Sequence, residues 1–241
     1  SSHRLVLGQL KVNSKSNEIT AIPELLKMLN ISGSIITIDA MGCQKSIATL
    51  IRHQGADYVL ALKGNQGNLY VQVEEFFKQA QVAGFSGIEH SYYHSSESGH
   101  GRIEIRHYYS VPLSAFTDLS QQELWTGLAS VGIVICERRL WNKTTLEVRY
   151  YLTSLEVDAQ VLAHAVRTHW GVENSVHWTI DVTFKEDASR IRTAHSAQNF
   201  ALLRRIALNQ LQRETSVKSS IRQKRYRAAL DNQYAIKVLL A

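Results

Sequence analysis

The sequence has few cysteines and no long apolar run. Its only two cysteines, Cys43 and Cys136, are too few and too far apart for a disulfide scaffold or a zinc cluster, which favours a reducing, cytoplasmic setting. No run of about 18 uncharged apolar residues occurs, so no transmembrane helix is predicted. The first residues lack the shape of a signal peptide. Because 44% of the 241 residues are hydrophobic, the chain has enough apolar surface to fold, which excludes disorder as its main state.

Acidic charge is scarce in the C-terminal part of the chain. Residues 190–227 contain ten basic residues and one acidic residue, Glu214, and the formal net charge of the whole chain is +6. Such a block is typical of a surface that faces a polyanion such as nucleic acid. A solvated helix face followed by a charged tail would have the same composition, so charge alone leaves both interpretations open.

Strand-like and helix-like segments alternate over residues 5–62. Strands are predicted at residues 5–12, 34–39 and 58–62, and the last two are nearly continuous apolar runs, as in strands buried on both faces. A helix is predicted in each interval, the second of them ending at Gly55. This order predicts an α/β fold with parallel strands and covering helices.

The middle of the chain is rich in predicted β-strands. After a short helix, strands are predicted at residues 102–111, 131–139 and 146–152, and helical patterning returns near Asp158. The last predicted helix places four apolar side chains on one stripe: Phe200, Leu203, Ala207 and Leu211. We therefore divide the chain into a core of residues 1–68 and 155–212, a β-rich insertion of residues 69–154, and a basic C-terminal tail of residues 213–241.

Asp39 is the first candidate for a functional residue. It ends a predicted buried strand, at the edge where open α/β sheets bind ligands. Gly42 lets the backbone turn away sharply just beyond it. An aspartate in this place is equally suited to capping the helix that starts near Gln44, and position alone does not decide between the two roles.

A second candidate is a run of polar residues spaced by four: His169, Glu173, His177 and Asp181. On an α-helix they would lie on one slowly drifting face. That face could hold a metal ion and phosphate, a zinc ion, or a satisfied polar cluster beside two tryptophans. Zinc is disfavoured because the two histidines are eight residues apart rather than four.

Basic residues accompany these acids along the chain. Lys63 follows a predicted strand, Arg102 lies in a glycine-flanked turn beside His100, and Arg190 and Arg192 begin the basic block. Salt bridges or solvated charges are the plain explanation for each of them. Carboxylates within a basic surface would repel DNA phosphates unless they hold Mg²⁺ or Mn²⁺, and two such ions can catalyse phosphoryl transfer.

Several segments together resemble the DDE-type transposases of bacterial insertion sequences, in the family of the H-repeat-associated proteins. The segments that carry the resemblance are KSNEITAIPELL (15–26), IDAMGCQ (38–44), DYVLALKGNQ (57–66), HGRIEIR (100–106), RTHWGVENSVHWTIDVTFKED (167–187) and KRYRAALD (224–231). The resemblance extends over nearly the whole chain. It implies a mobile element whose protein cleaves and joins DNA strands, with a ribonuclease H-like mixed sheet interrupted by a β-rich insertion.

The same resemblance assigns roles to particular residues. Asp39 matches the second of the family's three metal-binding carboxylates and Glu173 matches the third, with Asp181 as the competitor for that role. Two Mg²⁺ or Mn²⁺ ions are implied as cofactors, and DNA as the partner, with a homodimer on paired DNA ends as a further possibility. The expected phosphate contacts are Lys63, Arg102, Arg167, His169, Arg190 and Arg192.

The sequence departs from the family pattern at its start. It contains no Asp-Gly pair, although the family's first aspartate precedes a glycine on the opening strand of the fold. The resemblance therefore implies that the first two strands and one metal ligand are missing. Since the chain also lacks an initiator Met, we expect it to be cut from something longer or processed. The alternative to an active transposase is a truncated, inactive remnant that at most binds DNA, and in either case a cytoplasmic, nucleoid-associated location is expected.

Overall fold

The computed structural model of this chain describes residues 5–10, 18–99, 101–193 and 195–241, without the side chains of Glu18, Glu173 and Asn174. Its contacts divide the chain into two units. The first, which we call the sheet unit, contains residues 12–167. The second, the helical unit, contains residues 1–11 and 168–241.

A mixed sheet forms the centre of the sheet unit. Its six strands are β1 (Ile35–Ile38), β2 (Asp57–Leu62), β3 (Ser91–Gly99), β4 (Arg102–Pro112), β5 (Ser130–Leu140) and β6 (Lys143–Thr153). They lie in the order β1-β2-β6-β5-β4-β3. β1 and β2 are parallel, and every other neighbouring pair is antiparallel. The structure confirms the α/β class that the sequence predicts.

Helices cover both faces of this sheet. They are α1 (Glu18–Lys27), α2 (Lys45–His53), α3 (Asn68–Val82) and α4 (Ala159–Val172). Successive residues of a strand point to opposite faces. Tyr58 and Leu60 accordingly pack in one apolar cluster with residues of α2 and α3, and Val59 packs in another with Leu162 of α4. Burial on both faces explains the continuous apolar run of β2.

The close packing of α4 on the sheet depends on Gly132 in β5. A Cβ atom built at this glycine would lie 2.5 Å from Cδ2 of Leu162. Leu162 is itself fully buried. The missing side chain therefore creates the space that the leucine occupies, which brings the α4 backbone close to the strand.

Two π-helical turns and three helices follow in the helical unit. They are the turns Glu173–His177 and Thr179–Thr183, α5 (Ser196–Arg213), α6 (Ile221–Leu230) and α7 (Asn232–Leu239). Val176, Ile180 and Leu208 form one small apolar cluster, and Leu211, Tyr234 and Val238 form a second. None of the helices described is long and apolar enough to cross a membrane.

The strand predicted at residues 5–12 is wrong over residues 5–10, the part that the structure describes. Residues 5–10 have no regular secondary structure, and residues 11 and 12 lie outside the described residues. Val6 instead bonds through its backbone to the Asn209 side chain, with its N–H donating at 2.8 Å and its carbonyl accepting at 2.7 Å. A side chain thus satisfies backbone groups that a neighbouring strand would otherwise pair.

Two further details differ from the sequence-based expectations. The sequence did not predict β3, because most of its residues are polar and exposed and offer no apolar alternation. On α5, Leu211 is buried but Phe200 and Leu203 are 46% and 57% exposed, so only part of the predicted apolar stripe is buried. The other buried residue of this helix is Leu208, which belongs to a different apolar cluster.

Candidate active site and nucleic-acid interface

Asp39 lies directly beyond the carboxyl end of β1 and is exposed. It caps the short 3-10 turn Ala40–Gly42, where one carboxylate oxygen accepts a hydrogen bond from the Gly42 N–H at 3.4 Å. The first α2 residue is preceded by Gln44, which makes no side-chain cap. The capping role anticipated for Asp39 is therefore real but concerns the 3-10 turn. A hydrogen bond this long is weak and leaves most of the carboxylate's acceptor capacity unused.

Gly42 is required where the backbone turns after Asp39. A Cβ atom at this position would lie 2.3 Å from Cγ2 of Ile38 and 2.8 Å from Cδ1 of Ile22. The turn therefore packs against the end of β1 more closely than any side chain would permit. This contact fixes the path of the backbone on which Asp39 sits.

The turn after β2 is tied to the turn after β1 by two amide side chains. Asn65 donates to the Ala40 carbonyl at 2.7 Å, and Gln66 donates to the Cys43 carbonyl at 2.6 Å. Because β1 and β2 are parallel, both turns lie at the same edge of the sheet. The exposed Lys63, directly beyond β2, therefore shares this edge with Asp39.

Glu173 begins the first π-helical turn, and its side chain is outside the described residues. Asp181 lies in the second π turn and is exposed. π-helical turns are rare and often occur at functional sites. They also change the angle between successive residues, so the four-residue spacing from His169 to Asp181 does not give the drifting α-helical face predicted from the sequence. His169 packs edge-on to Trp170, with ring centroids 5.9 Å apart.

The described residues do not by themselves build a metal centre. Among their side chains, no group of three or more His, Cys, Asp or Glu is placed to hold a metal ion. Asp39 belongs to the sheet unit and Asp181 to the helical unit. Asp39 therefore supplies one exposed carboxylate with the oxygen chemistry that Mg²⁺ prefers, and a metal site at this place would need further oxygen ligands.

Arg102 belongs to a cluster of arginines held by a buried glutamate in β4. Glu104 is only 5% exposed. Its carboxylate lies 3.2 Å from Arg102, accepts a hydrogen bond at 2.9 Å from Arg138 in β5, and forms a close ion pair with Arg106. Glu104 and Arg138 are directly opposite each other in the β4–β5 register. One carboxylate thus orients three guanidinium groups.

The cluster extends to α4 through a second glutamate. Glu97 of β3 accepts two hydrogen bonds from Arg167, at 3.0 and 3.1 Å, and lies 3.2 Å from Nη1 of the buried Arg106. Four arginines therefore share two carboxylates, which leaves an excess of positive charge at this place. We call these six residues the arginine cluster: Glu97, Arg102, Glu104, Arg106, Arg138 and Arg167.

The sequence predicted only Arg102 and Arg167 as members of this surface. Arg138 was missed because strand register brings it to Glu104, 34 positions away, and Arg106 was missed because register also brings it to Glu97. Alternation of charged residues along Arg102, Glu104 and Arg106 was the available signal, since residues two apart share one face of a strand. His100, which was expected beside Arg102, lies outside the described residues.

The basic block of residues 190–227 is less uniform than its composition suggests. Arg190 and Arg192 are exposed, and Arg192 donates to the Ser189 and Ile191 carbonyls at 2.8 and 3.1 Å. Arg205 instead donates to Glu186 at 2.9 Å. Only part of this block is therefore presented to solvent as free positive charge.

Lys224 is the clearest example of a basic residue with an internal role. It is 7% exposed and donates to the Leu211 carbonyl at 3.1 Å, at the end of α5, while lying 3.5 Å from the Glu214 carboxylate. Glu214 also accepts hydrogen bonds from Ser216 and, at 2.7 Å, from the Tyr234 hydroxyl. These bonds, foremost those from Ser216, lower the pKa of Glu214 to about 2.

Comparison with known proteins defines the class. Residues 1–210 match the family described as the transposase DDE domain. The match includes the whole described sheet unit, with Asp39 and the arginine cluster, and the π-helical turns that begin at Glu173. The chain belongs to this transposase family, which confirms the resemblance found in the sequence.

Individual relatives place it more narrowly. "H repeat-associated putative transposase YhhI" of Escherichia coli (strain K12) is 43% identical over 246 residues, covering 98% of this chain and 63% of the relative. "Putative transposase YncI" of Escherichia coli O157:H7 is 42% identical over 239 residues, covering 98% of this chain and 60% of the relative. An uncharacterized protein in the dhlA 3' region of Xanthobacter autotrophicus is 39% identical over 156 residues, covering 64% and 50%. The chain thus spans less than two thirds of each of these relatives.

Proposed function

We propose that this chain carries out DNA strand cleavage and strand transfer as part of a DDE transposase of an insertion sequence. The observation that carries the proposal is the place of Asp39, at the carboxyl end of a parallel strand in a chain of this family. Water would attack a phosphodiester bond and break its P–O3′ bond, which releases a 3′-hydroxyl end. That 3′-hydroxyl would then attack a phosphodiester bond of a second DNA strand, forming the new bond and releasing the 3′-hydroxyl of the strand that is cut.

We also propose a fold family for the chain and a set of metal ligands within it. The fold is proposed to be ribonuclease H-like, with residues 69–154 as the insertion and 213–241 as the basic tail. Asp39 and Glu173 are proposed as two of the three carboxylates that would hold two Mg²⁺ or Mn²⁺ ions, with Asp181 as the competitor for the place of Glu173. We expect the protein to act in the cytoplasm at the nucleoid.

DNA phosphates are proposed to bind the arginine cluster and the exposed residues Lys63, Arg190 and Arg192, with His169 near the third carboxylate. Support comes from the geometry of the cluster, where Arg102 and Arg138 are about half exposed while their other contacts hold them in place. Arginines pre-oriented in this way lose little entropy on binding phosphate. Binding of this kind releases counterions and weakens steeply with salt.

The test of catalysis is metal-dependent nicking of supercoiled plasmid DNA by the chain with Mg²⁺ or Mn²⁺. Nicking is expected, with loss to background in Asp39→Asn. Asp118→Asn is the matched control, because Asp118 is also an exposed aspartate of the sheet unit. Absence of nicking by the wild-type chain with DNA binding retained would overturn the catalytic proposal and favour a DNA-binding remnant.

The test of the DNA interface is duplex binding as a function of salt. Between about 50 and 200 mM salt, the affinity should fall at least about tenfold. Combined Arg102→Ala and Arg138→Ala should weaken binding and flatten the salt dependence. Arg139→Ala is the control, since Arg139 neighbours Arg138 on the opposite face of β5 and pairs with Glu137 at 2.7 Å. An equal effect of both variants would refute the assignment of the arginine cluster.

A further inference from the structure

A cavity of about 500 Å³ lies at the end of α3, beside β3 and β4. Its lining residues are Gln81, Gly84, Phe85, His90, Tyr92 and Tyr109. Gln81, Gly84, His90 and Tyr92 are exposed, so the cavity can be reached from solvent. Its volume lies within the range of sites that bind small organic groups. The lining residues all belong to the sheet unit and lie away from Asp39 in sequence and from the arginine cluster on the sheet.

Rings dominate the lining and continue beyond it. Phe85 stacks on Tyr109 with ring centroids 4.2 Å apart and planes inclined by 5°. The Tyr92 ring lies 4.8 Å from that of Tyr109 and stacks with His107 at 6.0 Å. His94 continues the row, with its ring 6.5 Å from that of His107. We call these five residues the ring ladder.

Strand register produces this ladder. Tyr92 lies directly opposite Tyr109, and His94 opposite His107, in the antiparallel β3–β4 pair. Residues opposite each other share a face, so the four rings line up along it. The Tyr92 hydroxyl also bonds to Nδ1 of His107 at 2.8 Å, which holds these two rings in place.

Phe85 joins the ladder through an unusual backbone conformation. Its φ is 58°, in the left-handed region that a bulky side chain rarely adopts. Its N–H donates to the Ala80 carbonyl at 2.7 Å, which closes the end of α3. Strain of this kind persists where the surroundings hold a residue in place, and it clusters at binding sites. Here it directs an aromatic ring to one wall of the cavity.

We infer that the ring ladder and its cavity bind unpaired nucleobases of DNA by stacking. Half-exposed rings at the edge of an aromatic row offer flat faces on which successive bases stack, as on the aromatic platforms of proteins that bind single strands. Gln81 adds an amide at the rim, where it can donate to and accept from the edge of a base. The opposite face of the same strands carries the arginine cluster, so stacking and phosphate binding are separate properties of the sheet unit.

This inference rests on the proposed function only in naming DNA as the source of the base. Stacking is selective for unpaired bases, because the ring faces of bases inside a duplex are covered by the neighbouring base pairs. It is also less sensitive to salt than binding to phosphates. Both properties distinguish the ring ladder from the arginine cluster in one set of measurements.

The experiment compares a 20-nucleotide oligothymidylate with a fully paired duplex without a loop, each carrying a fluorescent label, in binding to the chain at low and high salt. Tyr92→Ala should weaken oligothymidylate binding at least about fivefold and leave duplex binding unchanged. Tyr92→Phe keeps the ring and should bind nearly as the wild type does. Tyr93→Ala is the matched control, because Tyr93 is the adjacent residue of β3 and its ring lies on the other face, 5.9 Å from that of Tyr108.

A strand containing 2-aminopurine gives a second measurement, since its fluorescence falls when the base stacks. Quenching that Tyr92→Ala removes and Tyr93→Ala leaves would support the ring ladder as the stacking site. Equal effects of the two variants, or no quenching by a wild-type chain that binds duplex DNA, would overturn the stacking inference and leave the proposed function untouched. Binding of free adenosine monophosphate at the ladder without affinity for either DNA would refute the DNA partner and leave the base site in place.

Discussion

Replacing Glu104 by Gln tests whether the arginine cluster is held by its buried carboxylate. The substitution keeps the size of the side chain and removes the charge that faces Arg102, Arg106 and Arg138. The Arg106 side chain is 9% exposed, so loss of its partner leaves a buried positive charge with less compensation. Glu97 remains 3.2 Å from Arg106 and limits the damage.

The expected loss of stability depends on how exposed each of the three arginine side chains is. Removing one partner of a buried ion pair costs about 3–5 kcal/mol. Because Glu97 stays in place, we take the lower end, about 3 kcal/mol, for Arg106. The side chains of Arg102 and Arg138 are 48% and 46% exposed, and pairs of that kind contribute only about 0–1 kcal/mol each. The loss should therefore come chiefly from the buried arginine.

Hydrogen exchange of peptides from β4 and β5 is the suitable assay, because it reports on this part of the sheet alone. A loss of about 3 kcal/mol corresponds to roughly a hundredfold faster exchange of the protected amides. Glu137→Gln is the control, since its partner Arg139 is about half exposed and its loss should change exchange less than about fivefold. If the two variants exchange alike, the buried carboxylate does not hold the cluster together.

Three further predictions concern the packing and charge of other parts of the chain. The pKa of Glu214 lies below its usual value, so its ionised form stabilises the fold fully above about pH 4.5, and this contribution is lost as the pH falls toward 2. Thermal unfolding should show this loss of stability in the wild type and a flatter dependence on pH in Glu214→Gln. Gly42→Ala places a Cβ atom 2.3 Å from Ile38 and should lower the free energy of unfolding by about 1–3 kcal/mol in urea titrations, and an unchanged midpoint would contradict the contact. Gly132→Ala should lower the free energy of unfolding by a similar amount, because the new Cβ atom would clash with Leu162. Adding Leu162→Ala to that variant should lower it by less than Leu162→Ala does in the wild type. Strictly additive losses would show that the two residues do not compete for space.

The sequence predicts both parallel strands, but their burial only in part. The apolar run at residues 58–62 belongs to β2, which is largely buried on both faces, as that pattern predicts. β1 is also a strand, but it lies at the edge of the sheet and none of its residues is buried, so the expected burial on both faces is wrong there. β3 offers no such signal, because it is paired on one side and mostly exposed. Its place in the sheet is set by pairing with β4, which no local pattern of residues 91–99 reveals.

The candidate site was predictable where it depends on position along the chain. Asp39 was identified because it follows a predicted strand, and Lys63 because it follows the next one. The arginine cluster depends on register between strands distant in sequence, so Arg138 carried no signal of its own. The π-helical turns at Glu173 were unpredictable because a local preference for helix does not distinguish π from α geometry.

The two amide bonds between the turns after β1 and β2 have a consequence for how this edge tolerates mutation. Asn65 and Gln66 both donate to main-chain carbonyls, those of Ala40 and Cys43. Every residue type possesses a carbonyl, so substitutions at the two accepting positions leave the acceptors in place. Substitutions at the two donors remove the bonds outright. Natural variation at Asn65 and Gln66 should therefore be limited to side chains that keep an amide donor, whereas Ala40 and Cys43 are constrained by their burial and not by these bonds.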